Sequence, residues 1–188
     1  DLLGARQHGF MKAVGVEFYA QLLDEEISCR AGGKTAVDVE KPVPVDIKLP
    51  AYIPESYLPD EMRRLEFYKR ILRSRPEELD ALESELEDLS GLAPEPVKNL
   101  FALLRVRALA KLAGVRCVMQ KGSRIEIYFR PRAAIDAQTL SRWLESYEKR
   151  RFSFVPSSEG DGVTLELGEQ SALQCLEELF AAIAVPLT

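Results

Sequence analysis

The sequence predicts an α+β fold in which an antiparallel or mixed sheet is covered by helices. Two observations lead to this prediction. Three consecutive stretches between residues 58 and 114 place apolar side chains at helical spacing, with proline or glycine at their boundaries. After residue 114 the chain twice repeats the order strand, strand, helix, with alternating apolar residues on either side of glycine-containing turns.

The three consecutive helices are each defined by an apolar stripe. The first spans about residues 59–73, and its stripe consists of Leu58, Met62, Leu65, Tyr68 and Leu72. The second begins near Pro76 and ends at Gly91, with a stripe formed by Leu79, Leu82, Leu86 and Leu89. The third is opened by Pro94 and Pro96 and stops at Gly114; its stripe is Val97, Leu100, Phe101, Leu104 and Leu112.

Short alternating segments predict the strands. Residues 43–49 alternate apolar and polar side chains, and Pro44 restricts this strand to an edge of the sheet. Residues 115–120 and 124–129 alternate around Lys121 and Gly122, which is typical of a hairpin.

The second hairpin is predicted from residues 152–155 and 163–167, and each hairpin is followed by a helix. Asp136 caps the first of these helices, which carries Leu140, Trp143, Leu144 and Tyr147. The last helix carries Leu173, Leu176, Phe180 and Ile183.

The region before residue 43 is organised differently. Residues 10–30 predict a helix, and residues 31–42, which contain Gly32 and Gly33, predict a linker. Residues 43–188 then form the main domain. We expect the chain to be part of a longer protein.

The composition narrows the classes of function. The formal net charge is −5, from 25 basic and 30 acidic residues, so the chain lacks the overall basic charge of many nucleic-acid-binding domains. No apolar run approaches the roughly 20 residues of a membrane span, which predicts no membrane contact.

Few residues are available for chemistry. His8 is the only histidine, and three cysteines lie far apart in the sequence, so a zinc site or a histidine-based triad would need unusual ligands. Residues 33–35, Gly-Lys-Thr, imitate the end of a phosphate-binding loop, but Ser28 stands where its first glycine is needed and a helix precedes it. We therefore predict no catalytic residue, no metal site and no cofactor in this chain.

The second helix is unusually acidic. Between Glu77 and Asp88 it has seven acidic residues and no basic ones. A solvated face is one interpretation, and a partner-binding face is the other, because acids in the last turn are opposed by the helix dipole. The preceding helix is rich in arginine and lysine, and these bases are an alternative set of partners within the helical hairpin.

The third helix, residues 97–112, supports an alternative function. It carries Lys98, Arg105, Arg107 and Lys111. A nucleic-acid-binding module would use such a basic face, although the pattern favours a solvated face over DNA contact.

Residues 52–71, YIPESYLPDEMRRLEFYKRI, resemble the signature of the C-terminal domain of the bacterial transcription-repair coupling factor family, IPxxYxxDxxxRLxFYKRI. The resemblance continues through residues 91–100, GLAPEPVKNL, and covers about residues 43–114. One departure stands at the end of the acidic helix, where the family has Asp-Arg and this chain has Asp88 and Leu89.

Residues 1–9, DLLGARQHG, resemble the end of the translocation motif that this family shares with the RecG helicases. Arg6 and Gln7 match that motif, and His8 replaces its usual serine. By this resemblance, residues 1–30 are the tail of the translocation motif and a connecting helix.

The resemblance implies a parent protein that is a double-stranded DNA translocase driven by ATP and Mg. Such a protein displaces stalled RNA polymerase in the cytoplasm and recruits UvrA for nucleotide excision repair. Its C-terminal domain, residues 43–188 here, is implied to be regulatory and autoinhibitory, and to dock on the N-terminal UvrB-like module of the same polypeptide. Glu85, Asp88 and Leu89 match the positions implied to face that module, and DNA contact is made through the motor of the parent.

Overall fold

The computed structural model describes residues 43–130, 152–155, 162–167 and 171–184. The predicted helix over residues 10–30, the linker over residues 31–42 and the motif residues Arg6 and Gln7 lie outside this part of the chain. The predicted helix around Trp143 lies outside it as well.

The described elements form an α+β fold, as the sequence predicts. The helices are α1 (Glu61–Arg73), a 3₁₀ turn (Pro76–Glu78), α2 (Leu79–Ser90), α3 (Glu95–Leu112) and α4 (Ala172–Ala184). The strands are β1 (Val45–Asp46), β2 (Val115–Lys121), β3 (Arg124–Phe129), β4 (Phe152–Val155) and β5 (Gly162–Glu166). The chain divides into two compact units. The described part of the first is residues 49–101, and the second holds residues 43–48 and the described residues from 102 onwards.

The start and end of α1 follow from local hydrogen bonds. The Asp60 carboxylate accepts hydrogen bonds from the backbone N–H groups of Met62 (2.9 Å) and Arg63 (3.1 Å), which satisfies two donors that the first turn of a helix leaves open. Ser74 ends the helix, since its hydroxyl donates to the carbonyl of Ile71 at 2.8 Å. Pro76 then opens the 3₁₀ turn, as the boundary signal predicts.

The buried face of α1 differs from the predicted stripe. Phe67, Tyr68 and Ile71 are buried, whereas Met62 is exposed. Arg64 is also buried, at 8% exposure, because its Nη1 donates to the carbonyl oxygens of Leu58 and Pro59. The buried face of α1 therefore includes a hydrogen-bonded guanidinium, which the apolar pattern does not predict.

The loop before α1 is held against the helices of the same unit. The backbone N–H of Ile53 donates to the hydroxyl of Tyr68 at 2.7 Å, and Asn99 donates from its side-chain amide to the carbonyl of Pro50 at 3.0 Å. The N–H of Tyr52 donates to the carbonyl of Pro96 at 3.1 Å. Residues 50–53 are thus fixed by both α1 and the start of α3.

The described strands form one mixed sheet in the order β1-β2-β3-β5-β4. Among the described strands only β1 pairs in parallel, and it lies at an edge, as Pro44 predicts. β2 and β3 form an antiparallel hairpin in which Lys121 pairs with Arg124, and Gly122 in the two-residue turn has φ +62°. On β3 the buried side chains alternate, so Ile125, Ile127 and Phe129 define the core face of this unit.

A bulge interrupts β2 between Val115 and Cys117. Val115 and Val118 are buried, with two partly exposed residues between them, so the alternation changes phase at Arg116. The guanidinium of Arg116 lies 5.6 Å from the ring centroid of Tyr128 on β3. The sequence pattern predicted simple alternation over residues 115–120 and therefore did not predict this change of phase.

Candidate inter-domain interface

The candidate interface is the C-terminal end of α2 and the turn that follows it. Leu79, Leu82 and Leu86 are buried, as the apolar stripe predicts. The stripe ends one turn early, however, because Leu89 is 46% exposed. Asp88 is exposed and Leu92, just beyond the helix, is 90% exposed. We call Asp88, Leu89 and Leu92 the α2 edge.

Glu85 is held by a basic residue of the same hairpin. Both of its carboxylate oxygens accept hydrogen bonds from Arg70, each at 2.6 Å, so the ion pair is bidentate. The Arg70 guanidinium also lies 5.3 Å from the ring centroid of Phe67, which adds a cation–π contact. Pairing within the hairpin, one of the alternatives left open by the sequence, is therefore confirmed for Arg70 and Glu85.

The ion pair changes the titration of both partners. The hydrogen bonds from Arg70 hold the pKa of the Glu85 carboxyl below its ordinary value, and its bond to Glu85 raises the pKa of Arg70. Glu85 consequently stays ionised, and the positive charge of Arg70 compensates it.

We expect this ion pair to make a small part of the free energy of unfolding depend on pH. Because the folded-state pKa of Glu85 is lowered, its contribution is present above the ordinary glutamate value and is lost as pH falls through the lowered pKa. The pair is about half exposed, so solvent screening limits the effect to about 0.5 kcal/mol. Urea unfolding at a series of pH values below 5 should show a shallower pH dependence for Arg70→Gln than for the unchanged chain. Equal slopes would contradict the expectation.

A second set of contacts fixes the turn after α2. The hydroxyl of Tyr57 donates to the carbonyl of Gly91 and lies 3.4 Å from the carbonyl of Leu86. The Glu87 carboxylate turns back to accept from the N–H of Ala93 at 3.0 Å. Burial, and then the charges of Glu87 and Glu83, raise the pKa of Tyr57, so its hydroxyl remains a donor. Sequence analysis did not single out Tyr57, although it lies within the signature segment.

Gly91 gives this turn its direction. Its backbone has φ 88° and ψ −172°, a region that only glycine adopts without strain, and its N–H donates to the carbonyl of Glu87 at 2.7 Å. We expect Gly91→Ala to lower the free energy of unfolding by about 1–3 kcal/mol. Since a Cβ at this position meets nothing within 4 Å, the loss would come from the backbone alone. Chemical unfolding of the two proteins measures it, and an unchanged unfolding midpoint would contradict it.

The basic helix α3 does not present all of its bases to solvent. Lys98 and Lys111 are exposed, but Arg107 is buried, and burial lowers its pKa. The face that an isolated nucleic-acid-binding module would need is thus smaller than the sequence suggests.

The described residues contain no group of three or more histidine, cysteine or acidic side chains arranged to hold a metal ion. Among the helices in the described part of the chain, none has both the length and the apolar character needed to cross a membrane.

Comparison with known proteins identifies the family. The family model of the TRCF domain matches residues 47–140, which is half of the chain. This chain belongs to the TRCF domain family. The chain is 36% identical over 143 residues to the transcription-repair-coupling factor of Bacillus subtilis (strain 168), and this match covers 74% of the chain. It is 33% identical over 132 residues to that of Escherichia coli (strain K12), covering 67% of the chain.

Each of these matches covers 12% of the relative, so the chain spans about an eighth of their length. A crystal structure described as the C-terminal domain of transcription-repair coupling factor superposes with a TM-score of 0.66 and 21% identity. That comparison covers 76% of this chain and 91% of the other, and it supports the fold of the TRCF domain.

Within this TRCF domain the signature residues mostly have structural roles. Asp60 caps α1, Arg64 holds the carbonyls of Leu58 and Pro59, and Tyr68 holds the loop at Ile53. Tyr57 secures the end of α2. The predicted interface residues Asp88 and Leu89 take no part in these contacts and are exposed at the end of α2.

Proposed function

We propose that this TRCF domain is the autoinhibitory domain of a transcription-repair coupling factor. In this proposal it docks on the N-terminal UvrB-like module of the parent, covers the surface that binds UvrA, and restrains the motor. The supporting observation is the α2 edge. Asp88 and Leu89 lie exposed in the last turn of α2, and the exposed Leu92 follows a turn that hydrogen bonds of Tyr57 and Glu87 hold.

A fixed edge of this kind suits a two-state equilibrium between docked and free domains. A surface that is already ordered loses little conformational entropy when it binds, so modest contacts suffice to favour the docked state. A signal that weakens those contacts then shifts the population towards the free state, in which UvrA binds and the motor runs.

The remaining activities belong to the parent protein in this proposal. The parent is a cytoplasmic translocase that binds ATP and Mg, contacts DNA through its motor and displaces stalled RNA polymerase. The TRCF domain itself has no catalytic residue and no cofactor, and it reaches UvrA and RNA polymerase only indirectly.

Removal of the domain tests the proposal. A full-length parent that lacks residues 43–188 should bind UvrA more tightly and hydrolyse ATP faster in the absence of RNA polymerase than the complete protein. The isolated chain should show no ATP turnover. If removal leaves both UvrA affinity and basal ATP hydrolysis unchanged while the rest of the protein stays folded, the domain is not autoinhibitory.

A further inference from the structure

We propose that the TRCF domain docks through an apolar contact made by Leu89 and Leu92, with Asp88 as an exposed acid beside it. The occupant is an apolar pocket with a basic side chain at its rim, carried by the remainder of the same polypeptide. This inference rests on the proposed function and specifies the chemistry of its interface.

Near this edge, two of the acidic side chains of α2 already bind groups of the same domain. Glu85 is engaged on both oxygens by Arg70, and Glu87 accepts from the backbone of Ala93. A partner base at Glu85 would have to share the carboxylate with Arg70, whose guanidinium also lies over the ring of Phe67. Asp88 is exposed and directly precedes Leu89, so its carboxylate is offered to a partner beside the leucines.

The two leucines are exposed, as are Met62 and Leu112 among the described large apolar side chains, and they lie close together in the sequence. Leu92 is 90% exposed and Leu89 is 46% exposed, while the rest of the α2 stripe is buried. They lie three residues apart across Gly91, whose carbonyl is fixed by Tyr57. Neighbouring exposed apolar residues on an ordered turn are typical of a binding anchor with a polar rim.

The charge of the edge and the length of the relatives indicate the occupant. The C-terminal end of α2 has no basic residue in its last turn, so the helix dipole and Asp88 both favour a positively charged group there. The curated relatives are about eight times longer than the matched segment, since each match covers 12% of their length. A covalently connected surface is present at a high effective concentration, which favours a docking site within the same polypeptide over a separate protein.

The test uses the full-length parent with Leu89→Ser and Leu92→Ser combined, and with Asp88→Lys as a separate variant. Leu112→Ser is the matched control, because Leu112 is a 74% exposed leucine on α3. We expect the double serine variant to raise the apparent UvrA affinity about tenfold or more and to raise basal ATP hydrolysis. The control should stay within about twofold of the unchanged protein.

The outcomes separate this inference from the proposed function. If Asp88→Lys releases UvrA binding but the double serine variant behaves like the Leu112 control, the docking is electrostatic and the apolar contact is overturned, while autoinhibition stands. If neither variant changes UvrA binding or ATP hydrolysis, although removal of residues 43–188 does, the domain docks through a different surface and the inference fails. If removal also has no effect, the proposed function fails with it. A Leu92→Asn variant, which should also raise UvrA affinity, checks the result without altering the helix or the charge of the edge, since Leu92 lies beyond the end of α2.

Discussion

Replacement of Arg64 by methionine is expected to lower the free energy of unfolding of the chain by about 3 kcal/mol. The Nη1 atom of Arg64 donates to the carbonyl oxygens of Leu58 and Pro59, and the side chain is buried. Hydrogen bonds to a charged group contribute about 1.5–3 kcal/mol each, and a buried carbonyl left without its donor keeps the full cost of desolvation. Methionine has a similar length, so little of the loss would come from an empty cavity.

Arg63→Met is the matched control for this prediction. Arg63 precedes Arg64, is exposed, and lies 3.8 Å from the Asp60 carboxylate in a surface ion pair. Such pairs contribute about 0–1 kcal/mol, so the control should unfold close to the unchanged chain. Urea titrations compare the three proteins, and the midpoint should shift without a change in slope. If both variants lose the same stability, Arg64 has no special structural role.

Reversal of two acids at the end of α2 is expected to release the domain in the full-length parent. In the Glu85→Lys, Asp88→Lys double variant, Arg70 loses its bidentate partner and its charge adds to those of the two new lysines. A basic rim on the partner would then meet three positive charges where it had met a net negative one. A shift of about 3 kcal/mol changes the docked-to-free ratio by more than a hundredfold. UvrA affinity and basal ATP hydrolysis should both rise.

A control with the same change in net charge is available in the same unit. Glu55 and Glu77 are exposed acids away from the α2 edge in sequence, and Glu55→Lys with Glu77→Lys alters the charge of the domain equally. The control should leave UvrA binding unchanged. Circular dichroism should show that the α2 variant stays folded, since its buried leucines are untouched and its ion pair is on the surface. If the α2 variant and the control give equal UvrA affinities, the acidic end of α2 is a solvated surface.

Local signals in the sequence predicted most of the elements, because proline, glycine and periodicity act over a few residues. The start of the 3₁₀ turn at Pro76, the end of α2 before Gly91 and the hairpin at Gly122 all follow from them. The phase change at Arg116 did not follow, since a bulge depends on the pairing of two strands. The prediction of the buried face of α1 was wrong for a similar reason. Arg64 is buried because the preceding loop brings two carbonyl groups to its guanidinium.

The candidate interface stays a prediction. Family resemblance pointed to Glu85, Asp88 and Leu89, and the structure shows all three exposed near the end of α2. The resemblance could not indicate that Arg70 is the partner of Glu85. Helix α1 carries several basic residues, and only the packing of the helices selects one of them. The bond from Tyr57 to Gly91 joins residues 34 positions apart, beyond the reach of any local pattern.

Three signature side chains, those of Tyr57, Arg64 and Tyr68, bind backbone atoms of their own domain, and this bears on how members of the family can differ. These side chains belong to the family signature, and each of them makes a hydrogen bond to a backbone atom of its own domain. The partner, in our proposal, meets Leu89 and Leu92 instead. On that proposal, the residues that identify the family and the residues that set the strength of self-restraint occupy separate positions. Two proteins could then share the whole signature while one is tightly restrained and the other is active by default.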